Sequence, residues 1–324
     1  MKLCALVLGC GSIGRRHIAN LRMLGVSDVA AFDVDTGRLA AAERELGVRG
    51  VPSMEAGLSE GPQAVLVCTP PAVHVTSTLA GLEAGAAVLV EKPIAPCGGP
   101  ELDRLLGHRY CRRVLVGYNL RFHKGLATVA ELLHTGMVGR PLSIFVEFGH
   151  YLPEWRPDED YRTGYIVRRN GGILLDASHE IDYVQWLAGE VESVSAVLAK
   201  TSDLEMEAED TALLTLRHRG GVLSQVHLDC VQRGYTRGCK VVGTEATLVW
   251  GLRDGVRLTR DGKTWLERPV VPDANDMYVE ELRHFLDVVV GRAEPLVDVG
   301  RAAAVLAVIE AAKRSAEERR EVAP

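Results

Sequence analysis

Six residues near the start of the chain, Gly9–Cys10–Gly11–Ser12–Ile13–Gly14, constrain its fold more than any other stretch. They follow a continuous apolar run, Leu3–Leu8, of the kind found in a strand buried on both faces. They open a stretch of helical composition that runs to about Leu24. A tight turn at the first glycine, close backbone approach at the second and close helix–strand packing at the third let a strand–loop–helix hold a pyrophosphate. The helix start adds free N–H groups and a positive dipole end. Val29–Phe32 reads as the next strand and ends at Asp33, about 20 residues further on. A carboxylate there accepts hydrogen bonds from a ribose diol and repels a 2′-phosphate. The context predicts that Gly9, Gly11, Ser12, Ile13, Gly14 and Asp33 hold NAD, with NADP open as a second choice. Asp35 adds to the repulsion, and Arg38 reads as a solvated helix residue. Arg15 and Arg16 face either the phosphates or water, and the sequence does not decide.

The alternation continues. Ala64–Cys68, Ala87–Val90 and Val114–Gly117 read as buried strands, and Thr36–Leu46 and Ala72–Ala84 as helices. Alternating strands and helices predict a doubly wound parallel sheet, an α/β class, over residues 1–118. In such sheets ligands bind outside the carboxyl ends of the strands. The rigid turn Cys68–Thr69–Pro70–Pro71 falls there, followed by His74, and is expected to set backbone near the nicotinamide. Thr69, Pro70 and His74 are therefore cofactor candidates. Glu91–Lys92–Pro93 falls at the end of the fifth strand. A lysine in that place bonds a substrate oxygen and stabilises charge developing on it; Glu91 and Lys92 also count among the cofactor contacts. The bland alternative is a surface Lys–Glu pair.

A second constellation lies in Gly171–Gly172–Ile173–Leu174–Leu175–Asp176–Ala177–Ser178–His179–Glu180–Ile181–Asp182. Asp176, His179 and Asp182 stand three residues apart, and on a helix residues three apart share a face. A carboxylate beside an imidazole orients it and raises its basicity, which suits a general base for a hydroxyl proton. The plain alternative is an N-capping Asp or Ser before a core histidine. The loop from Tyr151 to Arg162, with Trp155 in it, is rich in aromatics and charge. Aromatic rings stack on apolar sugar faces while charged groups bond hydroxyls, so Tyr151 and Trp155 are substrate candidates; an ordered surface loop is equally consistent.

Composition excludes other classes. A net charge of −6 over 324 residues gives no reason to expect nucleic-acid or anionic-membrane binding. Seven scattered cysteines with no CxxC pair argue against a disulfide framework and against a zinc site, so no metal is expected. Met1–Lys2 runs directly into the first strand, without a signal peptide, and no apolar run approaches a membrane span. Strand-like runs at 191–199, 211–218, 221–229, 239–243 and 246–250 predict a second sheet with one face left to be covered. Ala274–Val290 and Gly300–Arg319 read as closing helices.

Taken together, the glycine loop, Glu91–Lys92–Pro93, Gly117–Tyr118–Asn119–Leu120–Arg121–Phe122 and Gly171–Leu187 resemble the Gfo/Idh/MocA oxidoreductases, named for glucose–fructose oxidoreductase and inositol dehydrogenase. The resemblance covers nearly the whole chain. It implies a Rossmann domain over 1–118 and an α+β domain with an open-faced, mostly antiparallel sheet over 119–324. It implies hydride exchange between nicotinamide and a hydroxyl or carbonyl carbon of a sugar, cyclitol or nucleotide sugar. The family's catalytic group maps onto Lys92, Asp176 and His179, with Asn119, Arg121 and Asp182 as further substrate-site candidates. Many members space the Asp and His four apart, whereas here they are three apart, which leaves Asp176 the less certain partner. The resemblance also implies a homo-oligomer, dimer or tetramer, built on the open sheet face, while the scattered cysteines read as free thiols in a reducing cytoplasm. Two other readings stay open: a non-catalytic NAD-bound sensor, and an NAD-dependent glycoside-cleaving enzyme.

Overall fold

The computed structural model describes residues 3–269 and 273–324; the Met1–Lys2 start lies outside them. The chain divides into two compact units, Met1–Asn119 with Asn275–Ala303, and Leu120–Ala274 with Ala304–Pro324.

In the first unit, β1 (Cys4–Leu8), α1 (Ser12–Met23), β2 (Asp28–Phe32), α2 (Thr36–Leu46), β3 (Arg49–Gly50), α3 (Met54–Ser59), β4 (Ala64–Val67), α4 (His74–Glu83), β5 (Ala87–Glu91), α5 (Pro100–Leu106) and β6 (Val114–Gly117) follow in order. The strands form one parallel sheet, ordered β3-β2-β1-β4-β5-β6. The order reverses between β1 and β4, which is where open sheets of this kind bind ligands. Every residue of β4 is buried, as a strand covered by helices on both faces requires. Local signals set the helix ends. The Asp35 side chain accepts from the N–H groups of Gly37 and Arg38 to start α2, and Gly47, at φ 62°, ends it in the left-handed conformation.

The second unit runs α6 (Lys124–His134), β7 (Pro141–Gly149), α7 (Ile173–Asp176), α8 (Ser178–Ala188), β8 (Val191–Ala199), β9 (Thr211–His218), β10 (Leu223–Asp229), β11 (Thr236–Gly243), β12 (Thr247–Gly251), β13 (Gly255–Arg260) and β14 (Lys263–Arg268). Its eight strands are ordered β14-β13-β12-β11-β7-β10-β9-β8, and every pairing is antiparallel except that of β7 with β10. Side chains alternate across it. Ile144, Val146, Leu214, Leu216, Val226, Leu248 and Trp250 are buried against α6–α8, while Phe145, Val197, Leu213, Leu223 and Val249 stand exposed on the opposite face.

The chain then runs through α9 (Asp276–Val289) and α10 (Val299–Glu318). This corrects the sequence reading, which put everything after residue 118 in the second unit. α9 packs on α1 and β5, because Leu282 and Phe285 belong to the same apolar cluster as Val7, Ile18, Leu21 and Leu89. Asn20 and Asn275 exchange two side-chain hydrogen bonds, at 3.2 and 2.9 Å, and Val116 N–H donates to Val297 O at 2.9 Å. Such contacts between distant segments are invisible to periodicity.

Candidate active site

In the first unit the glycine loop is held by backbone crowding. Gly9 has φ 97°, and a Cβ there would sit 2.6 Å from Cys68 O; one on Gly14 would sit 1.9 Å from Gly9 O. A Cβ on Gly11 would meet nothing within 4 Å. α1 begins at Gly11 with no side-chain cap and no acidic residue in its first turn, so no side chain competes with an anion for its first N–H groups. Asp33 tightens the loop: Cys10 N–H donates to Oδ2 at 2.6 Å and Asp35 N–H to Oδ1 at 2.8 Å. A carboxylate has about four lone-pair sites, so Asp33 retains acceptor capacity for a diol. Burial, and next the Asp33 carboxylate, push the Cys10 thiol up to about 11, which keeps it uncharged beside the loop.

The two arginines after the loop have other partners. Arg15 pairs with Glu45, and the Arg16 guanidinium lies 4.4 Å from the centre of the Tyr278 ring. Arg38 lies 3.7 Å from Asp35, both exposed.

His74 ties two turns together. Its Nδ1 lies 2.8 Å from Pro93 O and its Nε2 2.6 Å from Thr69 O, with 1% of the residue exposed. Both ring nitrogens thus face carbonyl oxygens, and the neutral ring donates its one N–H to one of them. His74 thereby ties the Thr69 turn to the Lys92–Pro93 turn. Burial lowers its pKa, partly offset by the two carbonyls. Glu91 likewise turns inward: His17 Nε2 lies 2.8 Å from Glu91 Oε1. Lys92 follows directly, half-buried, across a cis bond to Pro93. Asn119 is buried and its side chain hydrogen-bonds Tyr278.

The second unit holds the other candidates. α7 and α8 are separate helices, broken at Ala177 (φ −84°, ψ 33°). Asp176 ends the first and His179 lies in the first turn of the second, so the three acid–base groups do not lie along one helix as their spacing suggested. Asp176 accepts a hydrogen bond from the Tyr165 hydroxyl. His179 is 9% exposed. Arg121 and Asp182 grip each other: Nε donates to Oδ2 at 2.8 Å and Nη2 to Oδ1 at 2.7 Å, with side chains 5% and 1% exposed. The Arg121 guanidinium also lies 5.0 Å from the Trp186 ring centre. Removing one partner leaves the other charge buried and uncompensated. Arg121→Ala should therefore cost about 3–5 kcal/mol of stability, read by urea denaturation; a loss below ~1 kcal/mol would mean that water solvates the pair.

Around the end of β7 the predicted Tyr151 and Trp155 meet His150, Arg233 and Tyr235, which the sequence reading missed along with Arg237. Trp155 donates its indole N–H to His150 O at 2.8 Å and stacks on the His150 ring, which meets Tyr235 edge-on at 5.2 Å between centroids. The Arg233 guanidinium sits 3.5 Å from the centre of the Tyr151 ring. Arg237 approaches Glu180, with Nε 2.9 Å from Oε1 and Nη2 donating to Oε2 at 3.3 Å. The sequence signal for this group was the aromatic and charged loop from Tyr151 to Arg162; Tyr235 and Arg237 arrive from β11 and its approach, far along the chain.

Comparison with known proteins places the chain. Residues 3–117 match the oxidoreductase family model with the NAD-binding Rossmann fold, and residues 126–249 match the GFO/IDH/MocA C-terminal domain. A myo-inositol 2-dehydrogenase of Thermotoga maritima is 30% identical over 98% of this chain and 97% of its own. The chain belongs to the Gfo/Idh/MocA oxidoreductase family. Among solved structures, a probable dehydrogenase from Thermotoga maritima superposes with a TM-score of 0.84 at 28% identity over 99% of this chain and 98% of its own. The WlbA dehydrogenase of Bordetella pertussis, solved with NADH and UDP-GlcNAcA, superposes at 0.82 with 24% identity over 100% and 99%.

The chain is thus an NAD-binding oxidoreductase, and the first unit's residues fit that cofactor. Gly11 faces open space and the first turn of α1 offers its N–H groups free of any side-chain cap. No helix among the described residues is long and apolar enough to cross a membrane.

Proposed function

We propose that this protein oxidises a secondary hydroxyl of a cyclitol or sugar, or reduces the matching ketone, with NAD. The observation that carries the reading is Lys92 at the carboxyl end of β5, in a chain that also keeps His179 in the opening turn of α8. Full-length likeness to an inositol dehydrogenase supports a cyclitol as the first substrate to try. The experiment is turnover of a panel of cyclitols, sugars and nucleotide sugars with NAD.

Oxidation of a secondary alcohol removes a hydride from carbon and a proton from oxygen, and NAD, when bound, supplies the hydride acceptor. Gly9, Gly11, Ser12, Ile13, Gly14 and Asp33 would hold it, with Thr69 and Pro70 as further candidate contacts. Lys92 donates a hydrogen bond to the reacting oxygen and stabilises the negative charge that grows there as the C–H bond weakens. His179 takes the hydroxyl proton. Asp176, anchored by Tyr165, is the acidic partner of this group. Arg121 and Asp182, bound to each other, with Tyr151 and Trp155, are the substrate-contact candidates of the second unit, and Asn119 is that of the first.

Asp33 governs the choice of cofactor. NAD should bind more tightly than NADP, and Asp33→Ser should narrow the gap in titrations followed by fluorescence. Equal affinities in the unaltered protein would contradict the assignment. Because Asp33 also holds Cys10, the variant should bind both cofactors more weakly.

The open face of the second sheet, carrying Phe145, Leu213, Leu223 and Val249, is proposed to be covered by a second copy, so light scattering should give a multiple of the chain mass of 35.2 kDa. Turnover in the cytoplasm is the matching proposal for location.

A further inference from the structure

One buried group in the first unit is unexplained by the chemistry above. Glu281, on α9, is 0% exposed, and neither carboxylate oxygen has a hydrogen-bond partner. Its ligand atoms and those of His17 and Glu91 lie within 4.8 Å of one another. An ionised carboxylate in such a place lacks solvation, and a neighbouring carboxylate makes it worse. A carboxylic acid does not: it offers one O–H donor, and a Glu91 oxygen with free lone pairs lies within 4.8 Å.

We propose that Glu281 is a protonated acid that donates a hydrogen bond to Glu91, so that His17, Glu91 and Glu281 form one buried network with a single carboxylate charge, which positions the Glu91–Lys92 turn. The inference rests on the proposed role of Lys92 for its functional consequence, but not for the protonation itself. His17 Nε2 approaches Glu91 Oε1, and the Glu281 O–H is the second donor to the same carboxylate. Glu91 is then gripped from α1 and from α9, one residue before Lys92. Burial, and next the Glu91 charge, raise the Glu281 pKa well above the ordinary carboxylate range. The other groups around the cluster agree. Tyr278, on α9, meets the His17 ring edge-on and carries the Arg16 cation on its face. Cys68, after β4, is held as a neutral thiol chiefly by burial, with the Glu91 carboxylate adding to the effect.

The sign of the pH effect follows. The folded state holds the Glu281 proton more tightly than the unfolded state, so stability falls as pH rises from the unfolded value toward the folded one. Glu281→Gln, an uncharged isostere that still donates, is freed from that loss.

The test reads protonation before activity. Difference infrared spectra of the intact protein minus Glu281→Gln at neutral pH should show the C=O stretch of a protonated carboxylic acid. The melting temperature of Glu281→Gln should match the unaltered protein at mildly acidic pH and exceed it increasingly as pH rises. Glu281→Gln should keep kcat within about twofold, while Glu281→Leu, which fills the space but cannot donate, should lower kcat roughly tenfold with little change in the KM for NAD. A missing acid band, or a Glu281→Gln melting curve that falls below the unaltered protein at every pH, overturns the proposal. So does a melting temperature that drops with chelator and is restored by zinc or manganese in the unaltered protein but not in His17→Ala, because the cluster would then hold a cation in place of the proton. If the infrared and melting results hold but Glu281→Leu leaves kcat unchanged, the protonated network stands and its link to Lys92 is the part that fails.

Discussion

His179→Ala is expected to lower turnover by ~10²–10⁴-fold, the usual contribution of general acid–base catalysis. The hydroxyl proton has to leave with the hydride, and a histidine titrates near neutral pH in its ordinary state. The base works only when deprotonated, so kcat/KM for oxidation should rise with pH through the free enzyme's ionisation. The variant should lose that rising limb and not merely scale it down. NAD affinity should survive, because the phosphate loop belongs to the first unit while His179 belongs to the second. Steady-state rates across the pH range, with NAD binding measured separately, check all three expectations. Full turnover with an unchanged pH profile would move the proton to another group, with Asp176 next in line through its bond to Tyr165.

Lys92→Ala should act on the other half of the charge separation. Removal of one preorganised donor to a developing oxyanion typically costs ~10²–10³-fold in rate. The loss should fall on kcat, because the bond strengthens as the oxygen gains charge. NAD affinity should change little. Near-normal turnover would reduce Lys92 to the surface charge that its position could equally suggest.

The first unit was largely legible in the sequence because each of its devices is local. The run Leu3–Leu8, the three glycines and Asp33 lie within one strand–loop–helix–strand segment, and backbone crowding at Gly9 and Gly14 explains why no other residue serves there. The open-faced sheet was legible from alternation at β8 to β12, yet β13 and β14 were missed. Their strands are rich in charged and polar residues, and the readable signal was the Asp261–Gly262 turn, both residues at positive φ, as a two-residue hairpin loop requires. The candidate site was half legible. Residue types and spacing pointed to Lys92, Asp176 and His179, but spacing alone placed Asp176, His179 and Asp182 on one helix, and the break at Ala177 separates the first from the others. The pairing of Arg121 with Asp182, of His74 with two carbonyls, and of α9 with α1 depends on residues far apart in the chain, where periodicity carries no information.

The central claim is that this chain catalyses NAD-linked oxidation of a cyclitol or sugar hydroxyl. The direct measurement is the growth of NADH absorbance when the intact protein is given NAD with each member of a panel of cyclitols, sugars and nucleotide sugars. The account predicts steady NADH formation with at least one cyclitol or sugar, lowered by at least about a hundredfold by Lys92→Ala and by His179→Ala. No NADH from any member, together with a rise in melting temperature on adding one of them, would contradict it and identify a protein that binds its ligand and cofactor without reacting them.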